Sequence, residues 1–394
     1  MKYKIRQKMK KIKYFIFPVV LLMVFFFVFG GTKIFRSFSQ TKKEYDYLSL
    51  FSQVVSLIKT DYVEKIQPIE KFPGAFSGML GALDKTSAYL DSEQTKIYNL
   101  YLQKKVCNCG IYGTRYSNYF YITDVVKLST PVACEIKPGC IIKAVNGKSI
   151  YGQSFWQMYL SLLSDKPETI ELVLLKEDSS TPCKVKVQTV PPKNTPIFKK
   201  IREDIYLVEL SRIDEEQVTF LKHQLGQERG RRSDSNPLKL IIDLRKYSGG
   251  DLDSFIQLTK LFFNNSIPLK LTLKTKSGEE SFSLGSNHAL SYRAVVIINR
   301  STRMYGELLA NLFKISQAPN DSDITLVGIE TNGFISKLKQ VSLKDGSSIL
   351  LTEGLFFLNG KNPGKSTVTP DVKVKDEDFA AIVDRSVSIL EKTD

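Results

Sequence analysis

The sequence predicts an α/β protein, α+β overall, in which an N-terminal transmembrane anchor and a helical segment precede a strand-rich block and an α/β core. Three observations predict it. An apolar strand, a turn and an amphipathic helix follow one another twice in the C-terminal half, as LKLIIDL with LDSFIQLTKLFF and as AVVIIN with GELLANLFK. Continuous apolar strands alternating with helices are the pattern of a sheet buried on both faces. Between about 106 and 178, Val/Ile/Tyr runs punctuated by Gly and Pro read as short strands. At the other end, Tyr14 to Gly31 is eighteen residues without a charge, near the length a helix needs to cross a bilayer.

The basic excess belongs to that first element. The 394-residue chain carries a formal charge of +15, and seven of its positive groups lie in residues 1–13 with no acid among them. Such concentration suits a topology signal rather than a nucleic-acid-binding face, so no nucleic-acid partner is expected. Residues 1–13 are a cytoplasmic basic segment and 14–31 a signal anchor by the positive-inside rule. Thr32 onward then lies outside, in a single-pass cell-membrane protein whose bulk is extracytoplasmic. A cleavable signal peptide is the competing reading. Val28 and Gly30 are small, but an Ala-x-Ala site is missing and the apolar stretch is long for an h-region. A composition of 42% hydrophobic and 25% charged residues excludes a largely disordered or fully membrane-embedded chain.

After the anchor, residues 32–43 read as a polar tether. Tyr47, Leu50, Phe51, Val54, Val55, Leu57 and Ile58 recur at helical spacing, a stripe that must pack on something. A second helix is expected over Ile69–Leu83, interrupted near Pro73, completing a helical segment over 44–103. The stretch 225–237 (LGQERGRRSDSNP) reads as an exposed loop. All five cysteines fall between Cys107 and Cys183. Outside the membrane disulfides are permitted, and Cys134 with Cys140, flanking a Lys-Pro-Gly turn, is the most natural pair. Cys107, Cys109 and Cys183 stay unassigned, and an odd count leaves a thiol over. With two His in the chain and neither near the cysteines, no metal and no cofactor is expected.

Six segments carry a resemblance when taken in order: GMLGALDKTSAYLD, VACEIKPGCIIKAVNGKSI, LIIDLRKYSGGDLD, TLVGIETNG, LKDGSSILLT and TPDVKV. From about Leu48 to Val374 the chain resembles the C-terminal processing (tail-specific) serine peptidases, membrane- or envelope-associated enzymes with an embedded PDZ domain. The resemblance implies a PDZ domain over 104–180, a tail-specific peptidase core over 195–380 and a closing helix over 381–394.

The same resemblance, carried over residue by residue, leaves the catalytic positions without chemistry. The family's nucleophile is a Ser one residue before a Glu that opens a helix; here Gly306 precedes Glu307. Its general base is a Lys after a Thr-aromatic-Gly turn; here TNGF puts Phe334 at that position. A Gln four residues later orients the Lys, and Leu338 stands there. A serine–lysine dyad needs a hydroxyl beside a neutral amine of lowered pKa. Gly306 has no oxygen and Phe334 no lone pair, and losing a nucleophile alone removes orders of magnitude of rate. Gly249 and Gly250, whose turn would help form an oxyanion hole, are present.

Neighbours offer no obvious substitute. Ser301 and Thr302 precede the turn, Ser336 has no base beside it, and Lys337 and Lys339 would point away from Phe334 in a strand. His223 and His288 lack a Gly-x-Ser-x-Gly elbow to serve. Arg303 and Tyr305 are bulkier than the residues this turn carries in active relatives, which would partly plug the cleft. The PDZ resemblance implies capture of a peptide as an added strand, with Gly110, Ile111, Tyr112 and Gly113 as the carboxylate loop. The helix Ser154–Ser164 would form the other wall, offering Phe155, Trp156, Met158, Tyr159, Leu162 and Leu163. The function expected is therefore a membrane-tethered, catalytically degenerate relative that binds protein C-terminal tails or unfolded polypeptide as an adaptor or regulator. Homo-oligomers, or hetero-oligomers with an active homologue, are the implied assemblies. The rivals are an active tail-specific endopeptidase with an unrecognised catalytic pair and a structural envelope protein.

Overall fold

A computed structural model describes residues 31–64, 68–126, 136–177, 179–192, 197–231, 237–246, 249–266, 268–317, 324–374 and 379–392. The basic segment 1–13 and the anchor, but for Gly31, lie outside the described residues. Among the described residues no helix is long and apolar enough to cross a membrane. The chain divides into two compact units at Gly74.

In the first unit, helix α1 (Gly31–Asp61) takes in the stretch expected as a tether. No Gly or Pro occurs between Thr32 and Asp61, so nothing in residues 32–43 stops the helix. The apolar stripe is also different from expectation: Tyr47, Leu50, Phe51, Val54, Leu57 and Ile58 are exposed rather than packed, although Phe51 stacks on Phe72 at 6.4 Å. Helix α2 (Pro68–Gly81) runs through Pro73 instead of breaking there. So near the helix start the proline forfeits one backbone bond to Ile69, which the remaining turns tolerate.

The second unit starts at Ala75, within α2, and continues with strand β1 (Ala88–Leu90) and helix α3 (Ser92–Leu102), started by a capping box between Asp91 and Gln94. The strand-rich block follows as β2 (Cys107–Asn108), β3 (Ile111–Tyr116), β4 (Tyr119–Val125), β5 (Ile141–Val145), β6 (Lys148–Ser149), α4 (Phe155–Leu160), β7 (Leu163–Ser164), β8 (Thr169–Leu175) and β9 (Cys183–Gln188). Its antiparallel sheet has the order β3-β4-β5-β8-β9 with β6 on β5, which leaves β3 at an edge. Alternation in β8, where Ile170, Leu172 and Leu174 are buried, turns one sheet face onto α4. Of the expected Cys134–Cys140 bridge, Cys134 lies outside the described residues, and Cys140 is free and so does not form it. Cys140 is a buried free thiol packed among Ile122, Ile142 and Leu174, Cys107 and Cys109 are free as well, and Cys183 is the disulfide-bonded cysteine.

The rest is an α/β core. Its elements are β10 (Ile197–Lys200), β11 (Ile205–Glu209), α5 (Glu215–Gly230), β12 (Leu238–Asp243), α6 (Leu252–Phe262), β13 (Leu269–Thr275), β14 (Gly278–Leu284), β15 (Tyr292–Ile298), α7 (Met304–Ser316), β16 (Ile324–Gly328), β17 (Lys337–Ser342), β18 (Ser348–Leu358), β19 (Val372–Lys373) and α8 (Phe379–Lys392). One sheet has the order β10-β11-β12-β15-β16-β19 and is parallel from β11 to β19. Leu238, Leu240 and Ile242 of β12 face α5, α6 and α7, whereas Ile241 faces α8 through Ile382, Val383 and Val387. Both faces are covered, which is why the strand reads as a continuous apolar run. A second sheet joins β1, β18, β13 and β14, with β17 on β18. Residues 225–230, expected in a loop, complete α5. Asp214 caps that helix by accepting from the Gln217 N–H, Glu215 and Glu216 fill its first turn, and Leu221 and Leu225 are buried one turn apart.

Candidate functional site

Open parallel sheets place their chemistry beyond the carboxyl ends of the strands. At the end of β12, Asp243 is fully buried and accepts from Arg245 Nε at 3.0 Å and Nη2 at 2.9 Å, while Arg245 Nη1 lies 3.3 Å from Asp124 of β4. Arg245 holds the Asp243 carboxyl below the usual range against the opposing effect of burial, and burial raises the Asp124 carboxyl. Gly249 and Gly250 follow with φ of 146° and 153°, conformations that favour glycine. Ile213 N–H donates to the Gly249 carbonyl at 2.9 Å, and Asp251 caps α6 by accepting from the Ser254 N–H at 2.8 Å.

At the end of β15 the chain turns sharply into α7. Thr302 Oγ1 donates to the Leu244 carbonyl at 3.1 Å, and Ser301 shares a 2.5 Å hydrogen bond with Thr123 of β4. Met304 carries the strain of this turn, with φ of 52° for a side chain that prefers negative φ. A nucleophile on a strand-to-helix elbow sits in such a strained conformation. Gly306 lies two residues further on, inside α7, where its N–H donates to the Arg303 carbonyl at 3.1 Å. Met304 is therefore the strained residue at this turn, a feature sequence spacing does not single out; the positive φ is visible only in the backbone.

Phe334 faces that elbow. Met304 N–H donates to the Phe334 carbonyl at 2.8 Å, and the Phe334 ring meets Phe155 of α4 at 5.1 Å. The TNGF segment is held by Glu307, which is fully buried: one carboxylate oxygen accepts from Thr331 Oγ1 and from the Gly333 N–H at 2.8 Å, the other from the Phe334 N–H at 2.8 Å. Burial pushes the Glu307 carboxyl up to about 7 despite those three donors. Leu338 sits in β17, half-buried against the cluster that contains Phe334. The strand begins at Lys337, so Phe334 is in the preceding loop and the expected strand alternation does not reach it.

The nearby hydroxyls are committed elsewhere. Ser336 Oγ donates to Thr86 Oγ1 at 2.9 Å, which donates to Asp84 at 2.8 Å. Lys337 pairs with Glu353 at 3.1 Å, and Lys85 Nζ donates to the Asn332 carbonyl at 3.4 Å. Among the described residues no Lys or His lies within hydrogen-bond reach of Ser301, Thr302 or Ser336. His223 contacts Gln227 and lies on α5.

The loop Gly110–Gly113 and helix α4 are adjacent, and core residues enter the space between them. Gly110 has φ of 72°, and its carbonyl accepts from the Val126 N–H at 2.8 Å. Every residue of α4 is buried. Arg303 Nη1 donates to the Gly113 carbonyl at 3.3 Å, with its guanidinium 4.4 Å over Phe155 and 5.0 Å over Tyr159. Asn332 Nδ2 donates to Thr114 Oγ1 at 2.7 Å beside it. The groove wall expected from Phe155, Trp156, Met158, Tyr159, Leu162 and Leu163 is thus packed against the chain's own core.

Comparison with known proteins agrees with this architecture. Residues 207–374 match the model of peptidase family S41. The carboxy-terminal processing protease CtpA of Bacillus subtilis is 24% identical over 373 residues, covering 92% of this chain and 76% of that protein. The carboxy-terminal-processing protease of Bartonella bacilliformis is 20% identical over 333 residues, covering 84% and 76%. The solved photosystem II D1 C-terminal processing protease superposes with a TM-score of 0.62 at 17% identity, over 86% of this chain and 90% of that one, a likeness of fold. Residues 207–374 thus match the peptidase family S41 model, and most of the chain is similar to the carboxy-terminal processing proteases.

Proposed function

We propose that this chain is a catalytically degenerate S41 homologue that works by binding polypeptide tails. The observation that carries the reading is the hydrogen bond from the Met304 N–H to the Phe334 carbonyl, 2.8 Å long. It brings the backbones of Met304 and Phe334 together at the strand-to-helix turn, and neither residue carries the hydroxyl or the proton-accepting amine that acyl transfer needs. Taking Gly306 as the nucleophile position leads to the same chemistry, since a hydrogen atom cannot attack a carbonyl. Leu338 and Phe334 add apolar packing where a buried lysine would need a partner.

Binding remains as the role. The strand-rich block serves as a PDZ domain, with β3 as the free edge to which a tail adds and Gly110, Ile111, Tyr112 and Gly113 as its loop. Residues 14–31 anchor the chain in the cell membrane with the folded part outside, and the exposed stripe Tyr47–Ile58 supplies a surface for pairing with a second copy or an active homologue. The chain then holds tails near the membrane and leaves cutting to another protein.

The test is capture without turnover. An unfolded polypeptide incubated with the full chain should be retained and recovered intact by mass spectrometry. Recovery of fragments, or no retention at all, would overturn the proposal.

A further inference from the structure

Arg303 is 5% exposed, so its charge is almost wholly removed from water. A guanidinium offers five N–H donors. Here one of them is used, on the Gly113 carbonyl at 3.3 Å, and among the described residues no carboxylate pairs with it. The faces of Phe155 and Tyr159 offset part of the cost of burying the charge but accept no conventional hydrogen bond.

Other donors cluster beside it. The Tyr159 ring meets Tyr101 at 6.0 Å, and the hydroxyl of Tyr101, a residue 7% exposed, has no hydrogen-bond partner among the described residues. Trp156, 5.9 Å from Tyr101, buries its Nε1–H without an acceptor. On the far side of Tyr101 lies Arg212, 5.8 Å from the ring and held at Nε by Asp214 at 3.1 Å. Its Nη1 faces the glycine turn: a Cβ on Gly249 would lie 3.2 Å from that atom and 3.1 Å from the Tyr101 hydroxyl. A run of donors thus extends from Gly113 to Gly249, and among the described residues Asp214 is the one acid paired to it.

We propose that this cluster, centred on Arg303, is a binding site for the terminal carboxylate of a polypeptide chain. A planar anion with two acceptor oxygens matches the guanidinium fork. The free edge of β3 leads a strand to it, since Arg303 contacts that strand at Gly113. Phe334 packs on the same Phe155 ring and closes that side of the cluster, so the site takes a chain end rather than a passing chain. The inference rests on the tail-binding reading and moves the anchor point of the tail from the Gly110–Gly113 backbone to a side chain of the α/β core.

Trp156 is the chain's single tryptophan and reports on the cluster directly. The full chain is titrated with an N-acetylated octapeptide library randomised over its last four positions, made once with a free carboxylate and once as the amide. The free-acid library should change Trp156 emission saturably and bind at least tenfold more tightly than the amide, and inorganic phosphate should compete only at far higher concentration. Arg303→Gln should abolish the acid/amide difference, and Tyr101→Phe should reduce it. Arg303→Lys keeps the charge but not the fork and should fall between, which decides the matter if Arg303→Gln does not fold. Acid-dependent binding that survives both Arg303 variants but is lost in Gly110→Ala overturns this site and leaves tail binding standing. Binding of neither library by the unaltered chain overturns both readings, and phosphate competing on a par with the peptides overturns the assignment to a chain end.

Discussion

Phe155 of α4 and Phe334 of the TNGF segment meet at 5.1 Å with their planes at 67°. The pair joins the strand-rich block to the α/β core beside the turn from β15 into α7. Around it, Arg303 reaches Gly113, Asn332 reaches Thr114 and Ser301 reaches Thr123, so the two parts share one partly polar, partly aromatic contact.

That contact should depend on the ring. Phe334→Ala removes a nearly buried phenyl group and should cost about 3–5 kcal/mol, while Phe334→Leu should cost less than about 1.5 kcal/mol. Urea unfolding of the two variants checks the order.

Glu307 gives the fold a pH dependence of known sign. Its carboxyl is raised from 4.5 to about 7 by burial, so the folded state holds a proton that the unfolded state releases between those values. Its contribution is fully present below about pH 4.5 and is lost as pH rises through about 7. The difference amounts to roughly 3 kcal/mol, at 1.36 kcal/mol for each unit. Asp124 and Glu209, also raised by burial, add to the same slope, so the comparison with Glu307→Gln isolates this residue. The variant should show a flatter dependence of melting temperature on pH between 4.5 and 7.5, together with a lower plateau, because one backbone N–H of the turn loses its acceptor.

Arg245 lies between Asp243 and Asp124, and deleting it strands both carboxylates. Arg245→Met should cost about 3–5 kcal/mol, and adding Asp243→Asn should recover part of that loss. Chemical denaturation of the single and double variants measures both.

The cysteines separate by alkylation. Under denaturing, non-reducing conditions Cys107, Cys109 and Cys140 should be modified, and Cys183 only after reduction. Modification of Cys183 without reductant would contradict the assignment.

Much of the fold was legible in the sequence because periodicity reports burial. The runs LKLIIDL and AVVIIN became β12 and β15 because both of their faces are covered, and the helix LDSFIQLTKLFF carries its apolar face as α6. The site was less legible. Gly306 follows from counting back from Glu307, whereas the strained dihedral angle of the turn belongs to Met304 and has no signature in spacing. The spacing of β17 could not locate Phe334, since the segment leaves the strand before Lys337. Residues 32–43 looked like a tether because they are polar, yet polarity without glycine or proline does not end a helix. Nor could spacing reveal that Arg303 crosses to Gly113, a contact between segments 190 residues apart.

The most direct test of an inert elbow is hydrolysis measured with the chain in excess over an unfolded substrate, scored by mass spectrometry for new termini. The account predicts none from the unaltered chain, and no change on replacing Ser301, Thr302 or Ser336 with Ala. Cleavage that disappears with any one of those three substitutions would show that a working nucleophile exists and would contradict it.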